Sequence, residues 1–153
     1  MKTTVLVALG LFMGIAALVA ASGTATRVHY VSGEAASATL AKPVGDPTRK
    51  PLFTEEGVAL VANRRAAAGI PEMHDKTNHL FIVMEGEATF VTGGTITGSK
   101  QTAPGQIRGV GIDGGQSHRL TKGAVVAVPA NTPHWFKEVP STGVAFYVMN
   151  TEN

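Results

Sequence analysis

Glu72, His74 and His79 stand in the order E-x-H-x4-H within the stretch Glu72 to Gly86. Far downstream, His134 closes the segment Gly123 to His134, G-A-V-V-A-V-P-A-N-T-P-H. Side chains two apart on a strand share a face, so Glu72 and His74 point together if a strand carries them. A turn over Asp75 to Asn78 then returns His79 on the adjacent strand toward the same point, and His134 arrives from another strand, stiffened by Pro133. A lone histidine in a strand is ordinarily a satisfied polar residue. Three imidazoles and a carboxylate gathered in an apolar interior without a cation are costly. The chemistry of this set is therefore one divalent transition metal in an N3O donor field, for which Mn, Fe, Ni, Co, Cu and Zn are all suited. Each imidazole binds as the neutral ring, so affinity should fall in acid. With no cysteine in the chain, thiolate ligands and disulfides are excluded.

The elements that must position these groups read as short strands. Gly57 to Arg65 is apolar on both faces, His79 to Glu85 and Ala88 to Thr92 form a hairpin-like pair punctuated by Gly86, and Ala124 to Val128 ends at Pro129. Trp135 to Val139 and Val144 to Met149 are two more, turning at Pro140 to Gly143, and one of Trp135 and Phe136 should be core. Of the last strand, either Phe146 and Val148 or Tyr147 and Met149 should line the interior. Arg27 to Val31 reads as a first short strand, whereas Ser32 to Leu40 has weak preference for anything. The glycine-rich segment 95–116 predicts an extended loop or a ragged extra hairpin near the barrel mouth.

Length and composition bound the rest. The 153 residues suffice for one domain with a substantial core. Glycine, 18 residues spread along the chain, suits many strands with tight turns more than long helices. A formal charge of +2, with no block of Lys or Arg, excludes a nucleic-acid stripe. Residues 1–25 have the anatomy of a cleaved signal peptide: Lys2, the uncharged run Val5 to Val19, then small residues with candidate cleavage sites after Ala21 and Ala25. An exported protein, periplasmic or secreted, without a stable membrane anchor after cleavage, is the expectation. Residues 26–56 should pack across the outside of a barrel formed by residues 57–150.

The two stretches resemble the paired motifs of the cupin superfamily. Gly123, Pro129 and His134 match the second motif in order, and Glu72, His74, His79 and Gly86 match the spacing of the first. Glu72 stands where relatives carry a histidine and His79 where they carry a glutamate, so the donor inventory is kept while two positions are exchanged. Asn131 replaces a glycine of the second motif, and Asn is among the residues that best tolerate positive φ. The resemblance implies an all-β, single-domain cupin-like jelly-roll β-barrel with a metal at Glu72, His74, His79 and His134, and a homodimer as the default assembly. It further implies an enzyme on a small oxygen-rich or acidic substrate, by Lewis-acid isomerase or lyase chemistry or by dioxygenase-type chemistry. The alternative is a non-catalytic binding protein for a sugar-like or acidic molecule, or for metal. Glu72 and His118 are the candidate proton-transfer groups; Arg64, Arg108, Arg119 and Tyr147 are the candidate substrate contacts.

Overall fold

Phe81 and Val83 are buried while Ile82 between them is exposed, the period-two pattern of a strand with one face in a core. In the computed structural model, which describes residues 27–47 and 50–152, this run lies within a single 16-residue strand. The elements in chain order are α1 (Gly33–Leu40), β1 (Phe53–Glu55), β2 (Val58–Arg65), β3 (Glu72–His74), β4 (Thr77–Thr92), β5 (Thr95–Thr97), β6 (Lys100–Ala103), β7 (Gln106–Arg108), β8 (Gly111–Asp113), β9 (Gln116–Thr121), β10 (Val125–Val128), β11 (His134–Glu138) and β12 (Val144–Glu152). The expected signal peptide falls outside the described residues.

β4 serves both faces of the barrel. As far as Gly86 it lies between β10 and β12, in the order β1-β2-β12-β4-β10; beyond Gly86 it lies between β9 and β11, in the order β9-β4-β11-β3-β7-β6. All the pairings between these strands are antiparallel, and the result is the all-β jelly roll that the motifs implied. The hairpin expected at Gly86 does not form. One residue at positive φ bends a strand from one sheet into the other, whereas reversing the chain needs a full turn. Gly86 has φ 71°, and a Cβ there would overlap the Gly143 carbonyl oxygen, so the corner admits only glycine.

Two other expectations change. Arg27 to Tyr30 is exposed and forms no strand, and Ser32 to Leu40 is the approach to and body of α1. The Ser32 hydroxyl caps this helix by accepting from the Ala35 amide at 3.2 Å. Eight residues are too few for a stable helix in isolation. Burial of Leu40 against Ala62 and Ala145 holds it on the outside of the barrel. Segment 95–116 takes the second of its two expected forms: β6 and β7 make an extra hairpin, irregular between Gln101 and Ala103, whose second strand pairs with β3, while β5 and β8 form a separate ribbon.

The core lies between the faces. Phe81, Phe90, Phe136 and Phe146 form a continuous aromatic cluster, with Phe90–Phe136 centroids 4.7 Å apart and Phe136–Phe146 stacked at 4.9 Å. Of the paired expectations, Phe136 is buried and Trp135 is half-buried, and it is Phe146 and Val148 that face inward.

Candidate metal centre

His79 shares the inward face of β4 with Phe81, and His134 shares the inward face of β11 with Phe136. His134 stands directly opposite Glu72 in the β11–β3 pair, and His74 follows two residues after Glu72 on the same face. The three rings meet: centroid separations are 5.0 Å for His74–His79, 5.0 Å for His79–His134 and 5.6 Å for His74–His134. One nitrogen of each lies within 4.8 Å of one nitrogen of the other two, a spacing that can hold a metal ion. The route differs from the sequence expectation. β3 pairs with β11 and β7, not with β4, so His79 comes from the sheet facing His74 and His134 rather than from the strand beside them.

The ring orientations are set from outside. His79 Nδ1 lies 2.7 Å from the Asn150 side-chain oxygen, and His134 Nδ1 lies 3.0 Å from the Thr132 carbonyl oxygen. A carbonyl only accepts, so each Nδ1 carries the proton and donates it outward. Each Nε2 is left with its lone pair aimed inward, and these two atoms are buried without a hydrogen-bond partner. Buried acceptors without partners are rare in folded proteins. A cation satisfies both at once, so the residues present fit a metal. Burial pushes the His134 pKa down from 6.5 to about 4, the Thr132 bond and the Glu72 charge working against it. His79 is lowered too, chiefly by burial, against the raising effect of Asn150. Both rings are therefore neutral at pH 7, the form that binds metal.

Glu72 borders the trio. One carboxylate oxygen lies 3.8 Å from His134 Nε2 and the other 3.5 Å from Arg108 Nη2, Arg108 being its cross-strand partner on β7. The loop before His134 is pinned to the strand carrying His74. Asn131, at φ 60°, donates its amide N–H to the His74 carbonyl at 2.7 Å and its side chain to the Asp75 carbonyl at 3.1 Å.

Two cavities meet at the trio. One of about 220 Å3 is lined by Arg65, Glu72, Arg108, His134 and the aromatic floor; the other, about 410 Å3, by Glu55, His74, Thr77, Asn150 and Glu152, with His79 facing both. The remaining sequence candidates lie elsewhere. Arg64 pairs with Glu85 and donates to the Leu40 carbonyl on the outside of β2. Arg119 pairs with Glu87 at 2.7 Å on exposed surface. His118 bonds the Thr92 hydroxyl at 2.8 Å and lines a different cleft with Arg119 and Glu138. Tyr147 packs under α1, on the outward face of β12.

Arg65 and Asn150 were not singled out from sequence. Asn150, a polar residue ending an apolar strand, was the one available signal; Arg65 had none beyond its neighbour Arg64.

The cupin family model matches residues 40–153. A Bacillus halodurans protein of known structure aligns over 85% of both chains at 14% identity with a TM-score of 0.58. A conserved Klebsiella pneumoniae protein with a double-stranded β-helix domain aligns over 82% of this chain and 91% of its own at 12% identity, with a TM-score of 0.56. The cupin domain of Schizosaccharomyces pombe Cnp3 aligns over 68% of this chain and 59% of its own, at 16% identity and a TM-score of 0.50. No curated protein matches the sequence.

Proposed function

This chain belongs to the cupin family, and on that premise we propose that it is an exported, metal-dependent enzyme acting on a small oxygen-rich or acidic substrate. His74, His79, His134 and Glu72 are its metal ligands. The observation that carries the reading is the pair of buried, unpartnered Nε2 atoms of His79 and His134, turned toward each other and toward His74. A divalent transition metal held there supplies Lewis-acid polarisation of substrate oxygens or, if Fe or Mn, dioxygen activation.

The chain's own residues do the rest. Asn150 and the Thr132 carbonyl hold the imidazole protons away from the centre. Phe81 and Phe90 close the space beneath His134 and keep water from it. Glu72, between Arg108 and His134, lines the smaller cavity, and a substrate that displaced it as a ligand would find in it the nearest carboxylate to accept a proton. The leader-like residues 1–25 support export, and the mature protein is proposed as a barrel of residues 57–150 with residues 26–56 packed on it, β1 adding to its sheet beside β2, acting as a homodimer.

Elemental analysis tests the centre. Mature protein purified without a metal-binding tag and reconstituted with each candidate ion should carry about one metal per chain. Sub-stoichiometric uptake of every ion would sink the reading. Turnover lost on chelation and restored by one metal supports the enzyme. Ligand binding that ignores chelation, with no turnover of sugar acids or phenols, would favour a non-catalytic binding protein instead.

A further inference from the structure

Beyond the histidines the inward faces of the strands change character. On β12, Phe146 and Val148 are buried, and Asn150 and Glu152 continue the same face toward the chain end. On β4 the matching series is Val83, Phe81, His79 and Thr77. Asn150 stands opposite His79, and Glu152 opposite Thr77, in the β12–β4 pair. In the facing sheet, His74 stands opposite Gln106 in the β3–β7 pair. These two polar edges border the larger cavity, of about 410 Å3. An apolar floor, a histidine layer and a polar rim thus follow one another. Among the described residues no Lys or Arg lines this cavity, whereas Arg65 and Arg108 border the smaller one. Its two carboxylates differ. Glu55 is engaged by the His29 ring, while Glu152 has no ion pair among the described residues.

We propose that the larger cavity is a subsite for a neutral polyhydroxyl ligand, a sugar or polyol, anchored by Glu152. Its hydroxyls donate to the Glu152 carboxylate and meet Thr77 and Gln106, and its remaining oxygens face the histidines. A hydroxyl donating to a carboxylate makes a charge-assisted bond, roughly twice as strong as a neutral one. A carboxylic acid in the same place would set like charges together with no Lys or Arg lining the cavity to offset them. Size agrees. The cavity falls within the about 300–1,000 Å3 of small-molecule sites, and the smaller one, about 220 Å3, does not. This assignment deepens the proposed function, choosing the oxygen-rich substrate over the acidic one, and rests on it for the metal end.

The test is calorimetric titration of the zinc-loaded and the zinc-free mature chain with one sugar ring in three charge states: glucose, glucuronate and glucosamine, then the galactose and mannose series. At least one neutral sugar should bind the zinc-loaded protein about ten-fold more tightly than its uronate. Glu152→Gln should weaken the neutral sugar about ten-fold and strengthen the uronate, opposite movements that a merely structural lesion cannot produce. Glu152→Asp should keep part of the preference, and Gln106→Ala should weaken the neutral sugar without helping the uronate. Circular dichroism checks that each variant is folded, and if Glu152→Gln is not, the Asp and Gln106 variants decide. No neutral sugar bound, a uronate or amino sugar preferred, or a preference unmoved by the Glu152 variants overturns the proposal. Sugar binding dependent on Glu152 in a chain that takes up no zinc would sink the metal reading and leave the subsite standing. Zinc uptake with no sugar bound does the reverse.

Discussion

Asn150 stands directly opposite His79 across the β12–β4 pair, and its side-chain oxygen accepts the His79 Nδ1 proton at 2.7 Å. This contact decides which nitrogen of His79 is free for a metal. Replacing Asn150 with Ala should lower zinc or cobalt affinity by about 10- to 100-fold, the usual cost of losing such an orienting partner. The metal-free fold should lose only about 1 kcal/mol. Asn150→Asp, which keeps an acceptor, should recover most of the affinity. Competition titration with a chelating dye reads it, and unchanged affinity in the Ala variant would remove Asn150 from the account.

Acid should destabilise the metal-free protein before its carboxylates titrate. The folded pKa of His134, about 4, lies below the ordinary 6.5, so the unfolded chain takes up the proton first. Stability is therefore full above about pH 6.5 and is lost as pH falls toward 4, amounting to about 2 kcal/mol by pH 5 for this group alone. His79, lowered for the same reason, adds loss in the same direction. Urea denaturation of chelator-treated protein at pH 7.5, 6 and 5 measures the slope. A flat profile would mean the rings are not buried as described.

Gly86→Ala should cost at least about 2 kcal/mol, because it combines a positive φ with overlap of the Gly143 carbonyl oxygen. The damage should reach the site, since Gly86 sets the half of β4 carrying His79 against the half that pairs with the strand of His134. A lowered urea midpoint together with weakened metal uptake is expected; wild-type values for both would refute the corner.

At Asn131 the side chain contributes through conformation and through its bond to Asp75. Asn131→Gly should lie within about 1 kcal/mol of wild type, whereas Asn131→Val, β-branched at positive φ, should lose about 2 kcal/mol or more. Thermal melts of the two variants decide it. Equal melts would mean that φ is not what the position selects.

Much of the site was legible before any fold was known, because it rests on residue types and local spacing. The pair Glu72 and His74 needs only the period of a strand, and the tolerance of Asn131 for φ 60° needs only its chemistry. The phase of β2 was not legible. Val61 packs into the main core while Ala62 is sealed beneath α1, so both faces of the strand are covered. Hydrophobicity then cannot say whether Arg64 or Arg65 turns inward. Arg65 does, and Arg64 goes outward to Glu85.

By itself, then, the sequence determined which three histidines meet, His74, His79 and His134, with Glu72 beside them, as well as the all-β jelly roll and the glycine that ends the first motif. Strand periodicity, motif spacing and backbone preference are properties of neighbouring residues. Only the tertiary structure decided that Gly86 bends one strand rather than joining two, that His79 arrives from the facing sheet, and that Asn150 and the Thr132 carbonyl orient the rings. It also decided that Arg65 is the arginine that lies over the Phe136 ring and close to Gly69. Each of these follows from which strands pair and in what register, a choice made by the burial of the whole core, which no local stretch of chain encodes.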